Sequence, residues 1–85
     1  MQAQRTPTLI YRRFGEDELV IRFWNIGGYQ RFTTLRQRFL GEFFLARPIK
    51  VQEHDWIVLL QSQQEAIQDF CRRYGLRMVK EHELC

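Results

Sequence analysis

The stretch Thr8-Leu9-Ile10-Tyr11-Arg12-Arg13-Phe14, Gly15-Glu16-Asp17-Glu18, Leu19-Val20-Ile21-Arg22-Phe23-Trp24 decides the fold. Its two outer runs are rich in strand formers. The polar link between them is short and starts with Gly15, so the runs read as two strands of a hairpin. In the second run Leu19, Ile21 and Phe23 fall on one face, and Val20, Arg22 and Trp24 on the other.

Downstream, Asn25-Ile26-Gly27-Gly28 is a loop signal. Thr34 with Gln37 forms a capping box, predicting a helix that starts there. Leu35, Phe39 and Phe43 recur every four residues, and Leu40 and Phe44 widen that stripe. Gly41 lies inside this helix, where the missing side chain would let a neighbour approach. Pro48 stops the helical region. Residues 49–52 read as a short strand, 53–55 as a turn, and Trp56 to Leu60 as a strand that is almost wholly apolar. Ser62 and Glu65 form a second capping box. Ala66, Ile67, Phe70, Cys71 and Tyr74 give an apolar helix face that ends at Gly75, a good residue for a left-handed cap. Leu76 to Glu81 is the last strand, with Leu76 and Met78 on one face and Arg77 and Val79 on the other.

The element string is therefore β-β-α-β-β-α-β in a single small α+β domain. It predicts a mixed sheet with both helices on one face. A β-grasp (ubiquitin-like) arrangement is favoured, because its first two strands form a hairpin and its last strand pairs with the first. A ferredoxin-like arrangement is the alternative. There the strand before the first helix lies inside the sheet, which leaves a hairpin partner no edge to occupy. Residues 1–7 read as a flexible tail, 8–81 as the domain, and 82–85 as a loose end.

Eighty-five residues form one domain with a small core, burying roughly 60–65% of the unfolded surface. Seven Phe, three Tyr and two Trp supply enough buried area to dispense with disulfides and leave aromatics for the surface. Two cysteines, Cys71 and Cys85, are not a disulfide framework. No apolar run reaches the roughly 20 residues that span a bilayer, and the N-terminal stretch has no signal-peptide core. A cytoplasmic protein with no membrane contact is the expectation.

Catalytic chemistry has little to work with. Cys71 falls on an apolar helix face, where a thiol behaves as a small hydrophobe. His54 and His82 read as solvated. Cys71, His82 and Cys85 lack the paired spacing of a zinc site. Glu16-Asp17-Glu18 lacks the spaced oxygen ligands of a calcium loop. Gly27-Gly28 has no following Lys-Ser/Thr, so it is no phosphate loop. The chain therefore reads as a non-enzyme without cofactor or metal.

The net charge is +3, and 11 of the 13 basic residues are Arg. The sheet face away from the helices would carry Arg12, Arg22, Trp24, Lys50, Trp56 and Arg77. Arginine and aromatic side chains interleaved on a sheet suit a protein interface or a platform for bases and phosphates. The low charge and the lack of a nucleic-acid motif favour a protein partner, including self-association into an oligomer. The expected function is a small protein-interaction module, adaptor or regulatory, that docks through a sheet face or strand edge. Nucleic-acid binding through the same face is the alternative.

Overall fold

The computed structural model describes residues 6–81. The expected loose end at 82–85, with His82 and Cys85, and all of the expected tail except Thr6 and Pro7 lie outside the described residues. The elements are β1 (Thr8–Phe14), β2 (Glu18–Trp24), α1 (Tyr29–Glu42), β3 (Arg47–Val51), β4 (His54–Leu60), α2 (Gln64–Tyr74) and β5 (Arg77–Lys80), with a 3₁₀ turn over Gln61–Gln63 before α2. The element string is the one the sequence predicts.

β1 and β2 pair antiparallel from Thr8↔Trp24 to Phe14↔Glu18, so Gly15, Glu16 and Asp17 alone make the turn. Gly15 has φ 77, a left-handed conformation that costs glycine nothing. The sheet order is β3-β4-β2-β1-β5. β5 runs parallel to β1, and every other pairing is antiparallel. The last strand thus pairs with the first, as a β-grasp chain requires. β2 also pairs with β4, as a ferredoxin-like course requires. The hairpin partner does find room: β1 inserts between β2 and β5, displacing the last strand by one place.

Both helices cover one face. Leu9, Leu19, Ile21, Phe23, Ile57 and Leu59 of the sheet form one buried cluster with Leu35, Phe39 and Phe43 from the α1 region and Ile67, Phe70 and Cys71 of α2. Phe39 is its hub. Its ring meets Phe23 edge-on at 5.7 Å and Phe70 edge-on at 5.0 Å, and stacks on Phe43 at 4.4 Å. Edge-to-face and offset pairs of this kind add about 0.5–1.5 kcal/mol each beyond their buried area.

The helix starts differ from the expected caps. α1 begins at Tyr29, with Gly28 as its N-cap and no side-chain cap bond. The Phe32 amide donates to the Gly28 carbonyl at 2.9 Å, so Thr34 lies a turn inside the helix. Gly27 and Gly28, at φ 91 and 139, turn the chain into the helix before any hydroxyl is needed. α2 is capped by Gln63 without a side-chain bond, and the 3₁₀ turn absorbs Ser62. Its other end matches the expectation. Gly75 adopts the left-handed cap at φ 69, Arg72 and Arg73 lie in the last turn, and Glu65 in the first, each matching the helix dipole. β4 starts at His54, so the turn expected over 53–55 is a tight one at Gln52 and Glu53.

Gly41 has nothing within 4 Å of where a Cβ would stand, so no neighbour makes use of its missing side chain. Gly41→Ala should raise stability by about 0.5–1 kcal/mol through helix propensity alone, read as a higher urea midpoint at unchanged slope. Phe70→Ala should cost about 3–5 kcal/mol, because it empties the junction of both helices. Near-native melting of that variant would refute this packing.

Candidate functional site

The sheet face away from the helices follows from strand register. Thr8, Ile10, Arg12 and Phe14 of β1 lie beside Trp24, Arg22, Val20 and Glu18 of β2. Val20 and Glu18 lie beside Val58 and Leu60 of β4, and Ile49 of β3 beside Trp56. Arg77 and Val79 of β5 line up with Thr8 and Ile10. Five of the six expected site residues, Arg12, Arg22, Trp24, Trp56 and Arg77, therefore share one face.

Lys50 does not. It pairs in register with Asp55, one residue out of phase with Trp56, and so projects on the helix side. Its ammonium lies 4.0 Å from the Asp55 carboxylate. A period of two makes a one-residue offset a change of face, and the register that puts Ile49 beside Trp56 fixes Lys50 on the other side.

Trp56 is no open platform. It is 5% exposed and packs with Val20, Val58 and Ile49 in a second buried cluster. The Arg12 guanidinium carbon lies 5.2 Å from the centre of its ring, and that of Arg22 lies 5.9 Å away. Arg12 is held in turn by Glu81 at 3.2 Å. Arginine stems bury their methylenes while the charged heads stay wet, so these two side chains roof the back of the sheet. Trp24, at 40% exposed, is the Trp that meets solvent. Arg22 and Arg77 form no ion pair among the described residues.

Besides Trp24 on the sheet and Tyr29 at the start of α1, exposed apolar side chains gather at one corner. Phe44 is 83% exposed and Leu45 72%, in the turn after α1, and Leu60 is 47% exposed at the end of β4. They surround a cavity of about 310 Å³ whose floor includes Phe43, Val58 and Leu59. Two ion pairs stand at its rim: Arg47 with Glu18 at 3.0 Å, and Arg73 of α2 with Glu42 of α1. Phe14, half-exposed, continues the row through Glu18 to Leu60. The sequence reading placed Phe44 on the helix stripe. The signal against that was the unbroken run Phe43-Phe44-Leu45-Ala46. Four consecutive residues cannot all point to one side of a helix, and α1 ends at Glu42.

Chemistry elsewhere is sparse. Cys71 is buried, and burial pushes its thiol up to about 12, so it stays protonated and inert at neutral pH. Among the described residues no group of three or more His, Cys, Asp and Glu side chains is placed to hold a metal. No helix among them is long and apolar enough to cross a membrane. No protein-family model, curated protein or solved structure matches the chain.

Trp56→Ala should cost about 3–5 kcal/mol of folding stability, since it removes the largest side chain of the second cluster. Chemical denaturation tests this. A loss within about 0.5 kcal/mol, the range of ordinary surface changes, would mean the ring is a free platform after all.

Proposed function

We propose that this chain is a small, non-catalytic protein-interaction module that docks a partner at the apolar corner formed by Phe44, Leu45 and Leu60. The observation that carries the reading is the exposure of these three large side chains around one cavity. Fully burying each gains about 1.5–3 kcal/mol. In a domain whose core is small, such surface left in water is a marked feature. The arrangement also matches interface anatomy, in which apolar anchors stand beside a pocket within a charged rim. Here the rim is Glu18–Arg47 and Glu42–Arg73. The partner offers an apolar side chain to the cavity and receives Phe44 or Leu45 in return. A second copy of the chain satisfies that description, and homo-oligomerisation belongs to the same proposal. The free, buried thiol of Cys71 accords with a reducing, cytoplasmic setting.

The open sheet face supports the alternative, nucleic-acid binding, less well. Its Trp56 is roofed, so base stacking would have to rely on Trp24. The feature in its favour is that Arg22 and Arg77 form no ion pair among the described residues.

The test is affinity capture with the tagged chain, with and without nuclease, alongside light scattering across protein concentration. Phe44→Ser/Leu45→Ser should abolish the captured protein or the oligomer and leave the melting temperature unchanged, because both side chains are exposed. Capture that survives this change, or that nuclease removes, would refute the proposal. Binding that weakens steeply with salt and is lost in Arg22→Ala would establish the nucleic-acid alternative in its place.

A further inference from the structure

A second cavity, of about 180 Å³, opens between α1 and the C-terminal end of α2. One wall is Arg31, Thr34 and Arg38, which stand at i, i+3 and i+7 and so share one side of α1. The floor is Leu35, and the facing wall is Tyr74 and Leu76. Pro7 completes the lining, and no Asp or Glu among the described residues contributes to it. Arg31 and Arg38 form no ion pair among the described residues, whereas Arg47, Arg72 and Arg73 all do. Two guanidinium groups that line one cavity without an acidic partner among the described residues repel each other and attract an anion.

The geometry points to a binding site for a small phosphate monoester that carries an apolar or aromatic body. Seven residues of helix separate the two arginine Cα atoms by about 10 Å along the axis, a span that two arginine side chains close from opposite ends. Each guanidinium is a planar fork that donates two parallel hydrogen bonds to an oxyanion. Two forks and the Thr34 hydroxyl between them supply more donors than one carboxylate's two oxygens accept. The three terminal oxygens of a phosphate monoester take them all. The body of the ligand then lies on Leu35 and Leu76 with the Tyr74 ring beside it, where a small aromatic group gains from both burial and ring contact. Size bounds the class. Pockets for drug-sized ligands run to about 300–1,000 Å³, so this cavity of about 180 Å³ matches a phosphate with one small ring. The site lies apart from the Phe44 corner and stands independently of the function proposed there.

Isothermal titration with phenyl phosphate at constant ionic strength tests it, with inorganic phosphate and phenol as the two halves of the probe. Phenyl phosphate should bind saturably at one site and more tightly than either half. Arg31→Gln and Arg38→Gln should each weaken it by about tenfold or more, the loss expected for a charge-assisted hydrogen bond. Thr34→Val should weaken it less. Arg36→Gln, on the same helix but outside the cavity, should bind like the wild type. All four variants alter surface groups, and unchanged melting would verify their folding. The proposal fails if phenyl phosphate shows no saturable binding, or if inorganic phosphate binds equally well. It also fails if Arg36→Gln weakens binding as much as Arg38→Gln, which would indicate diffuse attraction to a basic helix.

Discussion

A five-stranded sheet has two faces to keep from water, and among the described residues helices cover only one. That constraint shapes the rest of the molecule. The face under α1 and α2 is closed by rings, with Phe39 touching Phe23, Phe43 and Phe70 at once. The other face holds Ile10, Val20, Val58, Val79 and Trp56, all buried, with no helix above them. Arg12 and Arg22 over the Trp56 ring supply the missing layer. A cation over an indole is worth about 0.5–2 kcal/mol depending on desolvation. The larger gain is the apolar area that the ring and the arginine stems cover together. The abundance of Arg therefore has a structural use on this face, and Lys would serve it less well, lacking the flat guanidinium that lies on a ring.

Closing the back of the sheet in this way moves the unsatisfied apolar surface elsewhere. Glu42 is the last helical residue, and the chain must then cross to the edge strand β3. Phe43 turns inward and stacks on Phe39, which leaves Phe44 and Leu45 no inward direction to take. Their exposure follows from the connection itself. Polar residues would have made the same turn without exposing apolar surface, so the choice of Phe and Leu is the part that geometry does not require. That excess is what supports a docking role for this corner.

Most of the architecture was legible because it rests on local period. Alternation in Leu19–Trp24 and four-residue spacing in Leu35, Phe39 and Phe43 are direct readouts of which side is buried. Gly75 marks a backbone conformation that few other residues adopt. The strand order was not legible. Inserting β1 between β2 and β5 is a long-range pairing choice, and the same hairpin suits more than one sheet. The helix caps failed for a different reason. Thr34 and Ser62 have the right chemistry, but Gly27 and Gly28 and the 3₁₀ turn start the chain's helical course before either is reached. Ile49, Lys50, Val51 and Gln52 alternate, but so short a run says only that Lys50 opposes Ile49; which face each takes is set by the register with β4. The roofing of Trp56 depends on arginine rotamers across two strands, which no local pattern encodes.

The arginines divide by what stands opposite them. Arg47 with Glu18, Arg73 with Glu42 and Arg12 with Glu81 each join two elements distant in sequence. Being exposed, such pairs contribute only about 0–1 kcal/mol apiece, and their value lies in fixing how α2 meets α1 and how β3 and β5 hang on the sheet. Arg22, Arg31, Arg36, Arg38 and Arg77 have no such partner among the described residues. Three of these lie on α1, which carries a single acid, Glu42, already engaged by Arg73. Arginines without an acidic partner among the described residues thus stand both on the first helix and on the Trp-bearing sheet face, where Arg22 and Arg77 lie. Of the cavities beside that helix, the one between Arg31 and Arg38 has no carboxylate among its described lining residues, whereas Glu18 and Glu42 line the other.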